Sequence, residues 1–130
     1  MKVVPALLAV VALPACGGED KERSSQPAPK GDPGLKVWAA QGCGSCHSFA
    51  PAGATATIGP NLANSLGGRS RDYIRESIVA PNAKVYGGGT SIMPEGFAKK
   101  MSNAELDALV EFIEGRAGPV TTCCSGRPAR

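Results

Sequence analysis

The chain has 130 residues, enough for one domain with little to spare. Its 14 Lys and Arg exceed its 11 Asp and Glu by a net charge of +3, aromatic residues make up only 5%, and it carries 17 Gly and 11 Pro. This composition argues against a large α/β enzyme and a multipass membrane protein, and it is too weakly basic for a nucleic-acid binder. So few aromatics build only a small core, and a small core needs a staple such as disulfides, a metal or a cofactor.

The amino terminus reads as a targeting segment. Lys2 is a short charged start, and Val3 to Leu13 is an apolar run far below the ~20 residues of a membrane span. The run ends in Leu13-Pro14-Ala15-Cys16. That sequence resembles a bacterial lipobox, whose cysteine is lipidated before cleavage, with Pro14 where a small or β-branched residue is usual. Residues 1–15 are therefore expected to be a lipoprotein-type signal peptide and Cys16 the lipidated residue. The mature protein would then sit on the extracytoplasmic side of a bacterial cytoplasmic membrane. Residues 16–32 mix charged residues with Ser, Gln and Pro and show no apolar period, the composition of a disordered tether.

Folding is expected over 33–117, in three main helices. The first runs from Leu35 to about Gln41, with Leu35, Trp38 and Ala39 on one face. The second spans Arg71 to Val79, with Ser70 as N-cap, Tyr73, Ile74 and Ile78 on its apolar side, and Pro81 just beyond its end. The third follows a capping box, Ser102 at N-cap and Glu105 at N3. Leu106, Leu109, Val110 and Ile113 then repeat at helical spacing with Phe112 beside them, and Gly115 is the expected stop. No strand period, hairpin signal or internal repeat is visible. The connections Ser48–Gly68 and Asn82–Gly96 are long and rich in Gly and Pro, which suits loops that wrap something other than protein. Residues 118–130 read as a disordered tail. Its adjacent Cys123 and Cys124 have no assigned role.

Cys43-Gly44-Ser45-Cys46-His47 supplies the object to be wrapped. Cys-x-x-Cys-His is the attachment sequence of c-type haem. Two thiols one helical turn apart meet the two vinyl groups on one porphyrin edge, and the adjoining histidine lies beneath the iron as a ligand. His47 is the single histidine of the chain. A dithiol redox pair would follow a strand, whereas a helix leads into this motif. A zinc site would need a second ligand pair of matching spacing, which the sequence lacks.

With that motif the chain resembles the class I cytochrome c family of small mono-haem electron carriers. The resemblance runs from Pro33 to about Arg116. It is carried by Gly34-Leu35-Lys36-Val37-Trp38, the haem motif, Ile58-Gly59-Pro60-Asn61-Leu62, Ser91-Ile92-Met93-Pro94 and the last helix. The arrangement is especially similar to the short cytochrome domains that accompany bacterial terminal oxidases.

The resemblance implies an all-α cytochrome c-type fold with long loops around one covalent haem c. It also implies a methionine in a late loop as the second axial ligand. Met93 stands between Gly87-Gly88-Gly89 and Pro94 and fits that place, whereas Met101, just before the capping box, reads as core. The family pattern further gives the Pro60 carbonyl as acceptor for the His47 Nδ1–H. It has Gly34 and Trp38 pack on the last helix near Leu109, Phe112 and Ile113. Tyr73, Tyr86 and Arg69 are candidates to reach the haem propionates.

The expected function is one-electron transfer between membrane respiratory complexes, such as a quinol-oxidising complex and a terminal oxidase, with no enzymatic activity of its own. The alternatives are an electron-entry subunit of a periplasmic oxidoreductase and a gas-binding haem sensor. From Arg69 to Lys100 there are six basic and three acidic residues, and from Glu105 to Arg116 four acidic and one basic. That polarity is expected to steer the Met93 side toward an acidic partner.

Overall fold

The computed structural model describes residues 26–118. The signal segment, Cys16, most of the tether, and Cys123 and Cys124 of the tail lie outside the described residues.

Helix α1, Pro33–Ala40, starts with proline at its first position. The Asp32 carboxylate caps it by accepting the N–H groups of Gly34 (2.9 Å) and Leu35 (3.1 Å). The segment expected to be free up to residue 32 packs on the fold at its end. Ala28 donates its N–H to the Pro51 carbonyl at 2.8 Å, and its side chain meets the core.

The buried face of α1 is Gly34, Val37 and Trp38, rotated from the expected Leu35, Trp38 and Ala39; Leu35 is half-buried and Ala39 exposed. The reason lies in the partner helix. Gly34 sits at the point of closest approach to helix α4, Asn103–Ala117. A Cβ on Gly34 would come within 2.3 Å of both the Ala108 carbonyl oxygen and the Phe112 Cβ. Only glycine allows two backbones to meet this closely, so the face is centred on Gly34 rather than on the larger Leu35.

Trp38 packs edge-on to Phe112 with ring centroids 6.3 Å apart. Phe49 completes the cluster, 5.6 Å from Trp38 and 5.6 Å from Phe112, and is fully buried. Phe49 belongs to an element that the sequence did not announce. Strand β1, Ser48–Phe49, pairs antiparallel with β2, Ala54–Thr55, in the register Ser48 to Thr55 and Phe49 to Ala54. Two residues per strand are too short to leave an alternating pattern.

Helix α2, Leu62–Leu66, is likewise new, a five-residue helix capped by the Asn61 side chain inside what read as one long loop. Helix α3, Arg71–Val79, has the expected Ser70 cap and buries Ile74 and Ile78. Helix α4 has the expected reciprocal capping box of Ser102 and Glu105 and buries Leu106, Leu109, Val110, Phe112 and Ile113. It does not stop at Gly115. It runs on to Ala117, which is buried, and the following Gly118 carbonyl accepts the Gly68 N–H at 2.9 Å. Docking of this last turn against the end of α2 outweighs the ~1 kcal/mol helix penalty of an interior glycine.

Candidate haem site

Helix α1 ends at Gln41, and Gly42 turns the chain with φ 70° into a short 3-10 turn, Cys43–Ser45. The turn puts Cys43 and Cys46 beside each other, with His47 next. All three line a cavity of about 400 Å³ between α1, α2, α3, α4 and the 82–96 segment. Its walls are mostly apolar, with Leu62, Leu66, Ile74, Ile78, Leu109 and Ile113 among them. That size and lining suit a flat, largely apolar ligand.

The imidazole is held from two sides. His47 Nδ1 lies 2.9 Å from the Pro60 carbonyl oxygen. A carbonyl can only accept, so Nδ1 carries the hydrogen and Nε2 is left with its lone pair for a metal. The ring also lies against the backbone of Gly59, where a Cβ would come within 2.6 Å of His47 Cε1 and 2.8 Å of Nδ1. Gly59 is a site residue that the motif reading passed over as part of a turn. Its signal was its place directly before the proline that accepts the bond. A third contact fixes the turn, since the Gly59 N–H donates to the Cys46 carbonyl at 2.7 Å.

Burial pushes the Cys43 thiol up to about 11, helped by the neighbouring Cys46 charge and opposed by a backbone hydrogen bond. Among the described residues no group of three or more His, Cys, Asp and Glu gathers as a metal cluster. The donors that meet at the cavity are instead two thiols, one imidazole and thioethers. That set fits a covalently attached porphyrin whose iron the imidazole could hold.

Met93 lines the cavity from the 82–96 segment, where Gly87, Gly88 and Gly89 all have positive φ of 81–88°. Its N–H donates to the Ser91 hydroxyl at 3.1 Å. Met101 lines the same cavity, so its side chain is not confined to the core as expected, although it also packs on the core cluster. Tyr73 and Tyr86 are part of the lining and Arg69 is not; the Arg69 guanidinium stacks 4.9 Å from the centre of the Tyr73 ring.

Residues 31–116 match the family described as Cytochrome c. The chain belongs to the cytochrome c family. Its cofactor is one covalent haem c, and the fold around it is the small all-α cytochrome fold. The domain is similar to "Cytochrome c-555" of Methylococcus capsulatus (strain ATCC 33009 / NCIMB 11132 / Bath), 32% identical over 84 residues. The match takes in 65% of this chain and 60% of that relative's length.

The charge pattern of the cytochrome domain differs from the sequence expectation. Arg71 pairs with Glu111 (3.7 Å) and Glu114 (3.4 Å), and Arg75 pairs with Asp107. Lys84 pairs with Glu76 at 3.3 Å. The cations of α3 and the anions of α4 thus face each other across a helix contact. The α3 part of the basic stretch is thus partly neutralised by α4, whereas Arg69, Lys99 and Lys100 form no ion pair among the described residues.

Proposed function

We propose that the protein is a mono-haem electron carrier, not an enzyme, with its iron held between His47 and Met93. The observation that carries this reading is the convergence of His47, fixed by Pro60 and Gly59, and Met93 on one apolar cavity. Bound there, haem supplies a single-electron couple, and a methionine ligand raises its potential relative to a second histidine. The chain's own residues do the rest. Cys43 and Cys46 attach the group as thioethers, and the Pro60 carbonyl sets the tautomer and angle of His47. The apolar walls exclude water. Two protein ligands leave no position for O₂ or peroxide, which favours a carrier over a peroxidase or a gas sensor.

The proposal extends to place and partners. The lipobox-like Leu13 to Cys16 supports a lipid anchor at Cys16 on the outer face of a bacterial cytoplasmic membrane. No helix among the described residues is long and apolar enough to cross a membrane. An anchored domain meets membrane-bound donors and acceptors, such as a quinol-oxidising complex and a terminal oxidase, at raised effective concentration.

Replacement of Met93 tests the ligand. Met93→Ala should remove the weak deep-red band that a methionine–iron(III) bond gives and lower the potential, whereas Met101→Ala should keep the band and cost stability. The reverse pattern rejects the assignment. For the anchor, Cys16→Ser should move the protein to the soluble fraction with an unchanged haem spectrum; a variant that stays with the membrane rejects it.

A further inference from the structure

The segment that carries Met93 leaves α3 at Val79 and returns at the 3-10 turn Phe97–Lys100. Its tip has the three consecutive positive-φ glycines, and a Cβ at any of them would meet nothing within 4 Å. Lys84 ties the outgoing arm of the loop to Glu76 of α3 at 3.3 Å, and at the base one side chain bridges the two arms. The Asn82 amide nitrogen donates to Glu95 Oε1 at 2.6 Å, and its carbonyl oxygen accepts the Ser91 N–H at 3.3 Å. Ser91 in turn accepts the Met93 N–H. Asn82 directly follows Pro81, which is buried at the end of α3. The outgoing arm of the loop thus starts from a buried residue, and a single amide bridges it to Ser91 and Glu95, two places either side of Met93.

We infer that Asn82 is a positioning residue for the Met93 ligand, acting with Glu95 as a clasp that closes the base of the loop. The inference rests on Met93 being the ligand, as proposed above. An amide is suited to this task because it donates and accepts at once, so one residue grips a carboxylate and a backbone N–H. Breaking the clasp loosens the base of a segment whose tip glycines have no close protein neighbour at their Cβ positions. The loop then lifts more often, and the iron position opposite His47 becomes available to added ligands.

The test uses the full-length, haem-loaded ferric protein titrated with imidazole, which binds only when Met93 has left. Loss of the Asn82–Glu95 bond should raise the apparent imidazole affinity of Glu95→Ala about three- to tenfold, and Asn82→Ala, which also loses the Ser91 bond, should rise at least as much. Glu95→Gln keeps an acceptor oxygen for Asn82 and should stay within about twofold of the parent. The double variant should be no looser than Asn82→Ala, because Glu95→Ala removes only one of the two bonds that Asn82 makes. Parental imidazole affinity in Asn82→Ala and Glu95→Ala overturns the clasp. So does a Glu95→Gln variant as loose as Glu95→Ala, since charge rather than the bond would then hold the loop. Met93→Ala separates the two ideas. If it keeps the deep-red band, the ligand assignment fails and the clasp falls with it. If it loses the band while Asn82→Ala behaves as the parent, the clasp alone fails.

Discussion

The α1–α4 crossing and the Met93 loop border the same cavity and are built on opposite principles. At the crossing, two helices come so close that one added carbon on Gly34 would collide with backbone, and three aromatic rings interlock beside it. In the loop, glycines occur for conformation rather than closeness, with open space around them and a few side-chain bonds at the base. The fold therefore offers one rigid wall, which carries the attachment turn, and one adjustable wall, which carries Met93. On the proposed ligation by His47 and Met93, the two ligands of the iron would be held with unequal stiffness.

Substitutions that enlarge or shrink that difference test it. The largest loss is expected from Phe49→Ala. Phe49 is fully buried between Trp38 and Phe112, so its removal should cost about 3–5 kcal/mol in denaturant unfolding of the haem-loaded protein. A loss below about 1 kcal/mol would mean that the crossing is not rigid. Gly34→Ala should follow at about 3 kcal/mol, the upper part of the usual overpacking range, since its Cβ meets a carbonyl oxygen rather than a movable side-chain end.

A smaller effect belongs to the start of α4, where Ser102→Ala should cost about 1 kcal/mol. The same box predicts a pH dependence. Hydrogen bonds from the Ser102 backbone N–H and hydroxyl hold the Glu105 carboxyl below its usual 4.5. Its folded state thus favours the ionised form. That stabilisation is complete above the unfolded value and is lost as pH falls through the lowered folded one. In acid titrations followed by helical circular dichroism, Glu105→Gln should flatten this part of the stability curve. An unchanged curve would show that the box contributes nothing through ionisation.

The smallest change in stability is expected in the loop. One glycine inserted into the 87–89 run should alter the unfolding free energy by less than about 0.5 kcal/mol, because loop entropy grows slowly with length. A loss as large as that of Gly34→Ala would erase the contrast between the two walls.

The sequence was most informative where chemistry or period constrains it. Cys43, Cys46 and His47 could be read from spacing, and the buried face of α4 from its repeat. It was least informative where a third element decides the outcome. The rotation of α1 toward Gly34 depends on where α4 crosses. Extension of α4 past Gly115 depends on the docking of its last turn against the end of α2. The two-residue strands and five-residue α2 are too short to carry a pattern, yet they place Phe49 in the core and Leu62 in the cavity wall. Gly59 was visible as a letter, but its contact with the imidazole is a fact of three dimensions. A linear charge count cannot see that Arg71 and Arg75 face the acids of α4.

The α1–α4 crossing joins the first and last helices of the described chain, and every other element lies between them. A protease reaching the exposed glycines at 87–89 would therefore not release an end. It would leave two pieces, one with α1, α2, α3 and the attachment turn and the other with Met93 and α4, still clamped at Gly34 and Phe112 and by the ion pairs of Arg71 and Arg75. The molecule is in this sense closed like a ring without any bond between its ends. Its two halves could be made separately and brought together to rebuild the haem cavity at their seam.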